Sequence, residues 1–341
     1  MSDGSQPLAE PSISVVIIGT EGSRGIERAV RSVFAQEPRP AELVLFGNGG
    51  RLTPPSRPPD GVAVVLGSSE RNLGVAGGRN AAAKLASGDV LVFLDDDAVL
   101  RSGALASAAA TLARRPKVGA VAFSVVDPAS GQPALWYHPF EPGVWGRHAF
   151  EANSVIGCGH AVRRSCFEDL GGFWDGYFRE LEEVDLSWRL IDRGRVIVYQ
   201  PDAVVEHPER AARHLRHSVR SNLLLLWRLL PAGLALRQAL LKSGLFLARA
   251  VRHGEMRECL VGFSEAARGV RSARRAPLGP ETVRYLRRVH APQGIGKRLQ
   301  WSLRRLPPPP PLGGQPGSVG GTVSSRSPAA APITPPPNAA R

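Results

Sequence analysis

Residues 13–18 (ISVVII) are an unbroken, β-branched apolar run closed by Gly19-Thr20, the pattern of a buried parallel strand. Ile26, Ala29, Val30, Val33 and Phe34 then recur at helical spacing until Pro38 and Pro40 end the segment. Glu42–Phe46, stopped by Gly47-Asn48-Gly49-Gly50, reads as a second strand, Val62–Leu66 as a third and Val90–Leu94 as a fourth, with a helix predicted over Gly77–Leu85. Strands alternating with helices of this length predict a doubly wound α/β sheet. In such sheets ligands bind beyond the carboxyl ends of the strands, so the residues that follow each strand matter most.

Val118–Val126 is another apolar run. It leads into a long segment, 127–154, that carries Trp136, Tyr137, His138 and Trp145. A loop of this size in a compact domain is usually functional or mobile. A short strand, a helix near Arg164–Leu170 and a helix from Glu182 follow, and the apolar runs Val196–Tyr199 and Ala203–Val205 close the pattern before Glu206-His207. From Arg210 the chain becomes Arg- and Leu-rich and helical. Its longest apolar runs, Leu223–Trp227 and Leu229–Leu236, are bounded by Arg228, Arg237, Lys242 and Arg249, so no stretch of ~20 apolar residues spans a membrane. Five consecutive prolines, Pro307–Pro311, open a Gly/Ser/Pro/Ala tail expected to be polyproline II and then disordered. The predicted organisation is a flexible 1–11, an α/β domain over 12–207, a basic helical extension over 208–306 and a Pro-rich tail over 307–341.

The 341 residues carry a net charge of +13, which by itself fits nucleic acid, an anionic membrane or acidic substrates. The distribution is more informative. Residues 1–207 hold 20 Lys+Arg against 25 Asp+Glu, whereas 208–306 hold 21 against 5. A mildly acidic body is joined to a strongly basic helical segment. Three cysteines, Cys158, Cys166 and Cys259, with no CxxC pair, argue against a disulfide-stapled scaffold and against a thiolate zinc site. The polar N-terminus has no apolar signal-peptide core, which leads us to expect a cytoplasmic protein.

Four clusters carry chemistry. Asp95-Asp96-Asp97 ends the Val90–Leu94 strand. Carboxylates crowded at a sheet edge repel unless they share a cation, and Mg²⁺ or Mn²⁺ bridging carboxylate and phosphate oxygens would resolve that, a solvated acidic turn being the plainer reading. Glu182, Glu183 and Asp185 open a helix. There they stabilise the helix dipole or supply a general base for a hydroxyl nucleophile, with mutual crowding raising the pKa toward neutrality. His207 follows the last strand, where its imidazole could join Asp97 in a coordination sphere. Finally, in Arg71-Asn72-Leu73-Gly74-Val75-Ala76-Gly77-Gly78-Arg79-Asn80-Ala81, glycines at a helix start permit close approach of a diphosphate, although the spacing matches neither the P-loop nor the Rossmann fingerprint.

Taken in order, these segments resemble glycosyltransferase family 2, the inverting GT-A enzymes, over Ser14 to His207 and as far as Asn222. SVVIIGT is similar to the family's first strand, NLGVAGGRNAA to its NxGxxxARN-type helix start, and LDDDAVL to its DxD motif. RRSCFEDLGGF followed by LEEVDLSWR is similar to the GGF…ED region, in the variant of rhamnosyltransferase-type members, and PDAVVEH to the strand that ends in a metal-binding His. The resemblance implies a GT-A nucleotide-diphospho-sugar transferase fold, a doubly wound mixed sheet with a C-terminal α-helical extension. It implies a divalent metal (Mn²⁺ or Mg²⁺) on Asp97 and His207, and donor contacts from Thr20, Asn48, Asn72, Gly74, Arg79, Asp95 and Asp96. Glu183 takes the catalytic-base position, with Asp185 its orienter or the alternative base.

Three positions depart from the family pattern. LFGNGG stands where the second strand normally ends in an acid that reads the donor base, so Gly47 takes the acid's place. The first strand ends IIGTEG, and Trp174 replaces the acid that often follows GGF. The implied reaction is sugar transfer from a nucleotide-diphosphate donor to an acceptor hydroxyl on a glycan, a lipid-linked or a small-molecule acceptor. The 127–154 loop would be an acceptor wall or lid. The basic helices, rich in Leu, Ala and Trp over 216–252, suit an anionic membrane surface, which would place the protein peripherally on the inner face of the cell membrane. Two rivals remain: a non-catalytic nucleotide-sugar-binding relative, motivated by Gly47 and Glu182-Glu183, and a nucleic-acid binder, motivated by the basic segment but short of aromatic or groove-reading signatures. A nucleotidyltransferase would need a Gly-rich loop in the first βα turn.

Overall fold

The structure is a computed structural model that describes residues 11–53, 57–133, 147–208 and 215–289. The aromatic loop residues Trp136, Tyr137, His138 and Trp145, the first ten residues and the 307–341 tail lie outside these. Among the described residues nine strands form one mixed sheet. β1 (Ile13–Gly19), β2 (Glu42–Asn48), β3 (Ala63–Ser69) and β4 (Val90–Asp95) are parallel, with β1 between β2 and β4. β4 continues into antiparallel β8 (Gly159–Arg163), then β6 (Val118–Val126) and β9 (Val196–Glu206). The two-residue β5 (Val99–Leu100) and β7 (Phe150–Ala152) both pair antiparallel with β9.

The alternation of side chains along each strand sets two apolar layers. Val15, Ile17, Leu43, Leu45, Val92 and Leu94 face the helices α1 (Ile26–Phe34) and α3 (Ala104–Arg114), while Val16, Val44, Leu91 and Phe93 face α2 (Gly74–Ala83), α4 (Arg164–Asp169) and α5 (Glu182–Asp192). The apolar run on each central strand is continuous because both faces are covered. α3 is held by an Ala/Leu stripe, Leu105, Ala108, Ala109 and Leu112, whose helical spacing is present in the sequence.

The extension is α6 (Leu215–Leu229), α7 (Ala232–His253), α8 (Met256–Ser272) and α9 (Pro280–Val289). Its first helix is part of the main core: Leu224, Leu225, Leu226 and Leu229 pack in the same cluster as Val184, Trp188 and Leu190 of α5. The two apolar runs read as Val196–Tyr199 and Ala203–Val205 are one strand. Its register against β6 slips between Phe123–Gln200 and Ser124–Val204, at Pro201, which has no N–H for the ladder. No helix among the described residues is long and apolar enough to cross a membrane. Cys158, Cys166 and Cys259 are buried and free.

Candidate active site

The carboxyl ends of β1, β2 and β4 and the end of β9 meet at one edge of the sheet. The acidic turn Asp95-Asp96-Asp97 leaves β4 and is closed by Ala98 N–H donating to the Asp95 carbonyl at 3.1 Å. β5 then matters more than its length suggests. It sets Val99 opposite Glu206 and Leu100 opposite Val205, Arg101 pairs with Glu206 at 2.9 Å, and the His207 N–H donates to the Val126 carbonyl at 3.0 Å. This places His207 Nε2 3.3 Å from Asp97 Oδ1. One ligand atom each from Asp95, Asp97 and His207 lie within 4.8 Å of one another.

Two carboxylates and an imidazole converging in this way fit Mn²⁺ or Mg²⁺. The third acid of the turn points elsewhere. Asp96 is hydrogen-bonded to Ser23, and its pKa is raised first by burial and then by the charges of Asp97 and Asp95. A Cβ on Gly25 would lie 2.5 Å from Asp97 Cα. The start of α1 is thus seated directly on the acidic turn, and a side chain there would push it away.

Arg79 is placed differently from the expected donor contact. It is 2% exposed and bridges three elements: Nη2 donates to Asp95 Oδ1 at 2.6 Å and to the Gly157 carbonyl at 2.7 Å, and Nη1 donates to Glu182 Oε1 at 3.1 Å. A guanidinium fork suits this geometry better than an ammonium. Arg79 is a strut that joins Asp95 to the start of α5.

Glu182 and Glu183 open α5 after two residues in the left-handed region, Glu180 and Leu181, both with φ of 69°. Such backbone costs on the order of 1–2 kcal/mol per non-glycine residue and persists only where the surroundings impose it. Here α6 does so. Ser218 Oγ donates to Glu180 Oε2 at 2.7 Å, Ser221 Oγ to the Arg179 carbonyl at 2.8 Å and Arg220 Nη2 to the Gly176 carbonyl at 2.7 Å.

The two glutamates then differ. Glu182 is buried and paired with Arg79; its pKa is nonetheless raised, because burial outweighs the guanidinium. Glu183 is half-buried beside Gly157, and burial followed by the Glu182 charge pushes it up to about 8. The ion pair favours leaving charge on Glu182, so the pair takes its proton at Glu183 near neutral pH.

Asp185 does not share this cluster. It is fully buried, with Oδ1 accepting from Arg189 Nε at 2.5 Å and Oδ2 from Arg228 Nε at 2.8 Å. It ties α5 to α6, and its full burial closes it off from an acceptor hydroxyl.

The donor-side residues split in the same way. Asn48 is buried, accepts from the Leu73 N–H at 2.8 Å and donates to the Gly74 carbonyl at 2.9 Å, so it pins the start of α2. Asn72 is exposed and caps that turn by accepting from the Gly74 N–H at 2.9 Å. Gly74 has φ of 75°, and a Cβ there would lie 2.4 Å from the Phe178 carbonyl, so only glycine fits. Thr20 is exposed at the end of β1. A Cβ on Gly47 would lie 2.1 Å from the Gly50 carbonyl, so the tight turn of this chain leaves no room for an acid at that position. Asn80, adjacent to Arg79, brackets the Gly172-Phe173 turn, accepting from the Phe173 N–H at 2.9 Å and donating to its carbonyl at 2.7 Å.

Residues 14–171 match the family described as glycosyl transferase family 2. The matched part of this chain is a family 2 glycosyltransferase domain. It is similar to the glucosyl-dolichyl phosphate glucuronosyltransferase of Haloferax volcanii, 26% identical over 58% of this chain and 68% of that one. It is also similar to the N-acetylglucosaminyl-diphospho-decaprenol L-rhamnosyltransferase of Mycobacterium tuberculosis, 34% identical over 28% of this chain and 36% of that one. The chain thus spans little more than a third of the length of the second relative. A solved structure, the mannosyltransferase PcManGT from Pyrobaculum calidifontis in complex with GDP-Man and Mn²⁺, is 17% identical over 88% of this chain and 92% of that chain, with a TM-score of 0.49. The mixed α/β sheet with its C-terminal helices is the architecture that the sequence led us to expect.

Proposed function

We propose that this family 2 glycosyltransferase moves a sugar from a nucleotide-diphosphate donor to an acceptor hydroxyl with inversion, using a divalent ion held by Asp95, Asp97 and His207. The convergence of those three side chains at the sheet edge, a strut away from Glu183, carries the reading. A bound Mn²⁺ or Mg²⁺ supplies charge neutralisation for the departing diphosphate. The chain supplies the rest. Arg79 holds Asp95 and Glu182 in place, and Glu183 accepts the proton of the acceptor hydroxyl at a carboxylate oxygen made basic by burial and by Glu182.

Purified protein with Mn²⁺ is expected to release nucleoside diphosphate from one member of a panel of UDP-, dTDP- and GDP-sugars, and no release from any donor would overturn the reading. Transfer requires Glu183 deprotonated, so the rate should rise with pH through its raised pKa. The acid limb of kcat against pH is expected to lie well above the ordinary carboxylate range, and a limb near pH 4 would remove Glu183 from the role.

The names of both relatives include a lipid phosphate or diphosphate, which supports a lipid-linked acceptor and an envelope glycan as the product class. α7 supports a membrane surface as the place. Leu236, Leu240, Leu241, Leu245, Leu247 and Val251 are exposed on it, with Arg237 and Arg252 exposed among them. Exposed apolar side chains with cations among them suit the headgroup region of an anionic leaflet. Full-length protein is expected to float with phosphatidylglycerol vesicles and not with phosphatidylcholine vesicles. L240E with L241E should lower the bound fraction roughly tenfold or more, and equal flotation of that variant would refute the surface assignment.

A further inference from the structure

A cavity lies outside the residues that match the family. It has a volume of about 480 Å³ and is lined by Phe178, Arg216, His217, Arg220, Glu265 and Arg268, with Gly269 and Ser272 at its end. It is built by close packing of α6 on α8. A Cβ on Gly262 would lie 2.7 Å from the Arg216 carbonyl, and one on Gly269 would lie 2.9 Å from the Leu224 side chain. The two glycines let the helices approach until the cations of one face the other.

The charges in this cavity do not balance. Glu265 is taken by Arg216, which donates to it from both Nε and Nη2. Arg220 and Arg268 have no carboxylate of their own among the described ion pairs. Arg220 is half-buried. Its Nη2 is spent on the Gly176 carbonyl, while its Nη1 is buried and has no partner. Burial, reinforced by the charge of Arg216, lowers its pKa against the opposing pull of Glu265 and Tyr177. A buried guanidinium nitrogen without an acceptor costs free energy that an anion would recover. The Phe178 and His217 rings stack at 6.0 Å on one wall, giving the cation cluster a defined side.

We propose that this cavity is a binding subsite for a phosphate or diphosphate ester group, held by Arg220 and Arg268 beside the Arg216–Glu265 pair. Its position gives it a use. Phe178 lines the cavity, and its carbonyl accepts from the Val75 N–H at 2.7 Å at the start of α2. The same segment continues through Glu180 and Leu181 to Glu183. A phosphoryl group bound here sits on the α6 side of the segment that presents the base, away from the Asp95, Asp97 and His207 cluster. The phosphoryl chemistry has two sources, the phosphate linking an acceptor sugar to its lipid or the headgroup of an anionic lipid. The first rests on the sugar-transfer reading, whereas binding itself does not.

The test uses the full chain and inorganic pyrophosphate in EDTA, so that the carboxylate cluster has no metal through which to hold the anion. Isothermal titration should show binding to the wild type. R268Q, at an exposed side chain, should weaken it roughly tenfold, as should R220Q, while D97N should bind within about twofold of wild type. No binding by the wild type, unchanged binding by both arginine variants, or loss in D97N would overturn the subsite. Two further arms separate the sources, and either supports the assignment. If the phosphoryl group belongs to the acceptor, R268Q raises KM for a short-chain polyprenyl-diphosphate sugar and leaves flotation on phosphatidylglycerol vesicles unchanged; if it belongs to a headgroup, flotation falls and that KM holds.

Discussion

D97N is expected to reduce sugar transfer by a factor on the order of 10³ while leaving the protein folded. The size follows from what is removed. Asp97 and His207 approach to 3.3 Å and, with Asp95, define the only three-residue His/Asp/Glu/Cys group among the described residues whose ligand atoms converge. Loss of one oriented electrostatic contact to developing charge typically costs 10²–10³, and a displaced metal adds to that. The fold should survive because Asn is isosteric and the turn is closed by backbone, Ala98 to Asp95. Removing one of three crowded carboxylates also lowers mutual repulsion. The measurement is nucleoside diphosphate release with Mn²⁺ alongside the melting midpoint, and wild-type turnover by folded D97N would sink the metal reading.

E183Q separates the metal from the base. It should abolish transfer to the acceptor while donor binding in Mn²⁺ persists. A protein that only binds nucleotide sugars would show no Mn²⁺-dependent turnover in the wild type to lose.

The sheet and its ligand edge were legible because strands covered on both faces leave continuous apolar runs, and the acids stand just beyond them. ISVVII, ELVLF and VLVFL are such runs, and Asp95 to Asp97 follow the last one. β5 and β7 were not legible. Two or three residues carry no periodicity, and their pairing with β9 is decided by tertiary contact. The pairing that seats His207 beside Asp97 therefore had no local signal, although the motif order anticipated the result.

Arg79 and Asn48 looked like donor contacts because polar residues in a Gly-rich helix start suit a diphosphate. Burial reassigns them: Arg79 has three acceptors inside the protein, and Asn48 has two backbone partners. Nor does the sequence show that Ser218, Arg220 and Ser221, some 40 residues beyond the Glu180 turn, hold that turn. The charge change at residue 208 reads as a boundary, yet α6 completes the core and holds the turn before Glu182 and Glu183. Net charge reports on the surface, whereas the core is continuous across it.

D185A is expected to lose about 3–5 kcal/mol of stability, the cost of leaving buried guanidinium groups without their counter-ion. Asp185 is fully buried between Arg189 and Arg228, and the Tyr177 hydroxyl stands 3.5 Å away. Neither arginine can leave easily. Arg189 also donates to the Leu170 and Gly172 carbonyls, each at 2.8 Å. The Arg228 guanidinium lies 4.8 Å from the centre of the Trp174 ring and also donates to the Arg274 carbonyl. Trp174 is the residue that replaces the family's acid after GGF, so in this chain that position stacks on the cation that Asp185 neutralises. Urea unfolding should show the loss as a lower midpoint with an unchanged slope.

The pair is also expected to be non-additive. D185L with R228M should recover part of the loss, because it removes a charge together with its partner. D185N, which keeps the shape and one acceptor oxygen, decides the chemistry. Its transfer rate should scale with its folded fraction and keep the acid limb of the wild-type pH profile, because Glu183 and not Asp185 takes the proton. A folded D185N with transfer as low as that of E183Q would return the base to Asp185.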